Sequence, residues 1–254
     1  MINFINEDLK KLAQIPHFQR ALTFFGSARL GRESPYYEQA KILARECVRA
    51  GFSVITGGGG GIMQAANEGA FEAGRESLKF IPYEQSQAHK IGRKMEKSRT
   101  PKQRAKLKQE LQELINRDYG DEDMRDDIAV TEPKSIGFNI FLPFEQKSND
   151  FLDYNITFKS LAVRKMALIQ ASLAFVIFPG GFGTLDEFLE VLTLKQLGFK
   201  NVPIFAVGSE FWRGLDEFIR ASLLANAVIS RGDEGLYEIT DDLNLVLSKL
   251  KQLL

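Results

Sequence analysis

Cysteine and histidine are scarce in this chain of 254 residues. Cys47 stands alone, which excludes an intrachain disulfide framework and a multi-cysteine zinc site. His17 and His89 leave little material for a histidine-based metal centre or a Ser-His-Asp relay. Neither sign of charge is in surplus: 33 Lys+Arg face 33 Asp+Glu, which argues against a coat for nucleic acid or acidic membrane. No apolar run reaches the 18 or so residues of a membrane span. Residues 1–8 lack a basic stretch followed by an apolar one, so no secretory leader is read and the cytoplasm is the expected compartment. A hydrophobic share of 44% is enough to bury a core, and the length suits one large α/β domain, alone or with an insertion.

The apolar periodicity alternates between strand and helix. Strands are expected at 21–25, 52–56, 135–142, 173–178 and 203–207, and helices at 36–50, 62–73, 158–170, 185–196, 211–224 and 241–253. On the first helix Ala40, Leu43, Ala44 and Cys47 share one face, and Gly51 follows as a C′ glycine. Gly74 is read as the stop of the 62–73 helix. The pattern predicts a Rossmann-like open parallel sheet with helices on both faces, in one domain over 1–254 interrupted at about 75–134 by a charged, mostly helical insertion. Within it, residues 88–118 hold ten Lys/Arg against four Asp/Glu, and residues 119–132 hold six Asp/Glu against Arg125. A narrow stripe of Leu107, Leu111, Leu114 and Ile115 predicts an exposed helix over 102–117. Residues 78–85 resemble 141–146 across the insertion; duplication and chance both explain so short a likeness.

Glycine is concentrated where strands turn into helices. Five glycines, Gly57 to Gly61, follow the second strand, Gly26-Ser27-Ala28-Arg29 follows the first, and Pro179-Gly180-Gly181-Phe182-Gly183-Thr184 follows the strand at 173–178. Bare backbone at the carboxyl end of a parallel strand admits an anion to the free N–H groups of the next helix. Gly180, Gly181, Gly183 and the Thr184 hydroxyl suit a phosphate. Neither long loop ends in Gly-Lys-Ser/Thr, which excludes a Walker A loop, and the first strand end has only Gly26, which demotes a dinucleotide fingerprint. Thr184 and Glu187 have the spacing of a capping box, and equally the spacing that sets a carboxylate one turn from a bound phosphate. Glu190 reads as a second acid or a surface charge. Arg164 and Lys165 lie among apolar neighbours, so at least one cation is expected near the sheet, paired with Glu187 or a substrate phosphate.

These residues carry a resemblance. Residues 179–187 resemble the PGGxGTxxE signature of the Lonely Guy (LOG) phosphoribohydrolases, preceded here as there by an Arg-Lys pair, Arg164-Lys165. Gly57 to Met63 is similar to that family's first glycine loop, Gly26-Ser27 to its first strand end, and residues 136–146 to its middle strand. The likeness covers roughly 20–75 and 135–250. It implies a homodimer that hydrolyses a nucleoside 5′-monophosphate, of AMP or cytokinin riboside type, to free base and ribose 5-phosphate, with no cofactor and no metal. Chains of this kind have been labelled lysine decarboxylases, yet the family needs no pyridoxal phosphate. Two departures stand out: the extra segment, and Ala162-Val163 where the family often has His-Glu.

The expected site follows. Glu187 is the carboxylate that stabilises an oxocarbenium-like ribose and orients or deprotonates water. Arg164 holds the phosphate or ribose and keeps Glu187 ionised. Gly180, Gly181, Gly183, Thr184, Lys165, Ser27, Gly58, Gly59, Gly61 and Met63 bind phosphate and ribose. The alternative is a non-enzymatic carrier of a nucleotide or molybdopterin-type phosphate ligand. Single-stranded nucleic acid is disfavoured as a partner, since 88–118 contains no Phe, Tyr or Trp for base stacking.

Overall fold

The computed structural model describes residues 2–78, 134–141 and 147–254, with single helical positions at 94, 103, 106, 107, 109 and 110. Apart from those positions, the expected helix over 102–117 lies outside the described residues, as do most of the 78–85 and 141–146 borders. The chain divides into two compact units, one of residues 1–74 with 133–254 and one of 75–132.

Seven strands of the first unit form one sheet, all in parallel pairs: β1 Ala21–Phe25, β2 Ser53–Thr56, β3 Ser135–Ile140, β4 Tyr154–Phe158, β5 Ser172–Ile177, β6 Ile204–Val207 and β7 Glu238–Thr240. Their order is β4-β3-β2-β1-β5-β6-β7. The chain steps outward from β1 to β4, returns to the far side of β1 with β5, and steps outward again. The reversal falls between β1 and β5, so the crevice of this Rossmann-like α/β fold opens past their carboxyl ends.

Helices α1 Ile2–Ala13, α2 Pro35–Arg49, α3 Ile62–Leu78, α4 Leu161–Gln170, α5 Phe182–Gln196, α6 Ser209–Phe218 and α7 Leu243–Lys251 accompany the sheet. Strand alternation splits the core in two. Leu22 and Phe24 of β1 pack with Ala40, Leu43, Ala44 and Cys47 of α2 and Ala66 of α3. Ala21 and Phe25 pack on the other face with Val163 and Ala167 of α4, Phe188 of α5 and Trp212 of α6. Both faces are covered, which is why the central strands read as unbroken apolar runs.

Several expectations are corrected. Gly74 does not end its helix, which runs to Leu78. A side chain at Gly74 would meet Lys134 Cβ at 3.1 Å, so glycine there serves close approach rather than termination. The helix placed at 158–170 is a strand ending at Phe158, then Ser160 as N-cap, then α4. Tyr154 to Thr157 alternates half-buried and exposed residues ahead of buried Phe158, as an edge strand does. The helix read at 211–224 starts at Ser209 and passes into a π-helical turn, Ile219–Leu224. The short β7 and the whole of α1 went unpredicted. Helix α1 is fastened by its buried Asp8, whose carboxylate accepts the Lys159 amide at 2.7 Å and the Ser160 amide at 2.6 Å while holding Lys11 Nζ at 3.0 Å. Burial works against that charge, but the amide and lysine donors outweigh it and hold the carboxyl below its usual pKa.

Candidate active site

Three strand-to-helix loops meet at the switch point. The β1–β5 register pairs Phe25 with Ile177, so Gly26-Ser27 lies beside Phe178-Pro179. The Phe178 amide donates to the Phe25 carbonyl at 2.9 Å, the Ser27 amide to Pro179 O at 3.0 Å, and the Ile62 amide to Ser27 O at 2.9 Å. Such proximity explains the glycines. A Cβ on Gly61, whose φ is +61°, would strike Ser27 O, and one on Gly180 would strike Thr184 Oγ1 and come within 3.0 Å of Ser27 N. Gly58, at φ +70°, lies against Gly137 and Asn139, and the Gly59 carbonyl accepts from Asn149 Nδ2 at 3.0 Å.

Beyond this crossing opens a cleft of about 500 Å³. Ser27, Met63, Arg164, Gly181, Gly183, Thr184 and Glu187 are brought together in its wall; Gly180 sits behind Thr184, while Gly58, Gly59 and Gly61 shape the loops rather than line the space. Helix α5 starts at Phe182 with Gly181 as N-cap, so Thr184 is in its first turn and no capping box with Glu187 forms. The capping reading therefore fails, because the helix begins three residues earlier than that reading requires. A side chain at Gly181 or Gly183 would touch nothing within 4 Å, so the first N–H groups of α5 face open space.

Arg164 and Glu187 form the floor. Arg164 is 8% exposed; its Nε donates to Phe138 O at 2.7 Å and its Nη1 approaches Glu187 Oε1 at 3.4 Å. The guanidinium also lies on Gly57, where any Cβ would collide with Nη2. Burial lowers the Arg164 pKa, against the pull of Glu187. Burial pushes the Glu187 carboxyl up to about 7; Arg164 opposes that shift and Asp186 adds to it. Both partners move toward neutrality, so their attraction does not repay their loss of water. A pair in that condition is poised for a ligand or a proton.

Lys165 is placed elsewhere. Its ammonium pairs with Asp186 Oδ2 and Glu190 Oε2, each at 2.9 Å, and does not line the cleft. Burial works against its charge, but the two acids outweigh it and raise its pKa. Glu190 is thus a partner of Lys165. Sequence reasoning did not single out Arg29, Ala28, Ile140 or Phe182, which also line the cleft. Phe182 is 92% exposed, and only its place between two glycines of the loop hinted at this position. Among the described residues no group of three or more His, Cys, Asp or Glu is placed to hold a metal.

Sheet order and crevice together define a Rossmann-like α/β protein with its site at the β1–β5 reversal. A family model described as "possible lysine decarboxylase" matches residues 122–250. Curated relatives include a probable cytokinin riboside 5′-monophosphate phosphoribohydrolase of Oryza sativa subsp. japonica, 26% identical over 192 residues, or 75% of this chain and 64% of that protein. An Arabidopsis thaliana cytokinin riboside 5′-monophosphate phosphoribohydrolase is 24% identical over 188 residues, or 74% of this chain and 60% of that one. The matches thus span less than two thirds of these relatives. Among solved structures, the molybdenum cofactor carrier protein of Chlamydomonas reinhardtii aligns with a TM-score of 0.52 at 17% identity, covering 92% of this chain and 98% of that one. The molybdenum cofactor binding protein of Rippkaea orientalis aligns with a TM-score of 0.51 at 15% identity, covering 92% and 97%. The chain belongs to the LOG family.

Proposed function

We propose that this protein hydrolyses the N-glycosidic bond of a nucleoside 5′-monophosphate, of AMP or cytokinin riboside type, to free base and ribose 5-phosphate. One observation carries the reading: a largely desolvated carboxyl, Glu187, its side chain 14% exposed, shares a cleft with the first turn of its own helix. That turn, with Thr184, takes the phosphate, and Glu187, less than two helical turns on, then faces the sugar. The curated LOG relatives, named as phosphoribohydrolases of a riboside 5′-monophosphate, support the substrate class.

The C1′–N bond breaks with its electron pair leaving on the base nitrogen, and positive charge develops on the ribose. Ionised Glu187 stabilises that charge and accepts a proton from the water whose oxygen bonds to C1′; the proton passes on to the departing base. A carboxyl near pKa 7 is matched to this exchange at neutral pH. Arg164, fixed by Phe138 O and Gly57, holds Glu187 in place and offers its remaining N–H groups to the ribose or phosphate.

The test is release of free base from AMP and N6-substituted AMPs by purified protein, with Glu187→Gln alongside. Loss of a positioned acid–base group costs about 10²–10⁴ in rate. A folded Gln variant that turns over as fast as the parent would refute the role of Glu187. Ligand retained intact by the parent would instead mark a carrier, the reading for which the two structural neighbours speak. Mass in solution of the same sample tests the homodimer that the family resemblance implies.

A further inference from the structure

Among the described residues two cations line the cleft, Arg29 and Arg164, and one of them is neutralised by a carboxylate. Arg164 is buried against Glu187 and Phe138 O. Lys165 is drawn off by Asp186 and Glu190, and Arg32, on the loop after β1, is held by Glu68 Oε2 at 2.8 Å. Arg29 differs: it lines the cleft, it is exposed, and no carboxylate engages it among the described residues. Its loop is nonetheless fixed. The Arg29 amide donates to Ser27 Oγ at 3.0 Å, the Ser27 backbone is clamped to both Pro179 and Ile62, and Arg32 pins the far end to Glu68, itself held by Tyr37 and Lys41.

A phosphate monoester is a dianion near neutral pH, and the α5 terminus offers N–H groups and a partial charge but no cation. We propose that Arg29 binds the substrate's 5′-phosphate as a clamp across the cleft from the first turn of α5. This deepens the proposed function and rests on it for the identity of the ligand. A guanidinium matches two phosphate oxygens at once, and a side chain in solvent before binding gives up little when it swings onto the ligand.

The experiment titrates ribose 5-phosphate into the full chain, into Arg29→Gln and into Arg29→Lys, and measures kcat and KM for AMP on the same three proteins. Arg29→Gln is expected to weaken ribose 5-phosphate by about tenfold to a hundredfold, the loss of one charge-assisted contact, and to raise KM for AMP with kcat nearly kept. Arg29→Lys, a charge without the fork, should fall between. Equal ribose 5-phosphate affinity in parent and Gln variant overturns the clamp even if base is released. Weakened binding in the Gln variant without any base release upholds the clamp and refutes the hydrolase. No binding of ribose 5-phosphate to the parent overturns the clamp as well.

Discussion

Replacing Glu187 with Gln should make the protein more stable at alkaline pH. Burial pushes this carboxyl up to about 7, from an ordinary value of 4.5. A difference of that size corresponds to roughly 3.5 kcal/mol, at about 1.4 kcal/mol per pH unit. Because the folded pKa is the raised one, the folded state binds the extra proton between those values. Stability from this group is therefore whole below pH 4.5 and is lost as pH climbs through 7. Glutamine mimics the neutral acid in shape and cannot ionise. Parent and variant should differ little at pH 4.5, and the variant should lead by up to about 3.5 kcal/mol at pH 8.5. Urea unfolding of both proteins at the two pH values gives the comparison, and titrations elsewhere in the chain cancel in the difference. A stability difference that does not change with pH, or one that favours the parent at pH 8.5, would show that Arg164 compensates the buried charge after all. The expected pattern, a variant both sturdier and inactive, is the exchange of stability for function that ionisable sites display.

Three further outcomes follow from the same geometry. The rate at low substrate should rise with pH along a limb centred near 7 as Glu187 ionises, and a flat profile between pH 5.5 and 8 would contradict that assignment. Gly57→Ala drives a methyl into Arg164 Nη2 and to 2.8 Å from Met63 Sδ; turnover of AMP should fall about 10²-fold, with a thermal-melt cost of about 1–3 kcal/mol. Gly61→Ala meets backbone, Ser27 O and, at 2.6 Å, Ala28 C, in a left-handed conformation; denaturant unfolding should show about 2 kcal/mol lost.

The sequence disclosed whatever depended on neighbours along the chain. Strand β1 was legible to the residue, because ALTFF is buried on both faces and closed by glycine. The loops and the nearness of Arg164 to Glu187 were legible because glycine, buried cation and acid each carry a local reason. What depended on distant partners was not. Lys165 looked as suitable as Arg164 until Asp186 and Glu190 claimed it from a helix twenty residues on. Arg29 looked like any loop arginine until β5 folded back beside β1. Edge strand β4 hid because half its side chains face outward, and α1 hid because the residue that fastens it is an aspartate.

The Asp8 contact places helix α1 in the same mechanical chain as the cleft at the β1–β5 reversal. Its carboxylate closes the start of α4, and the Arg164 amide bonds to the Ser160 carbonyl within that first turn. A bulky fusion or a deletion that breaks the Asp8 contacts would thus loosen the first turn of α4, the helix that carries the Arg164 guanidinium.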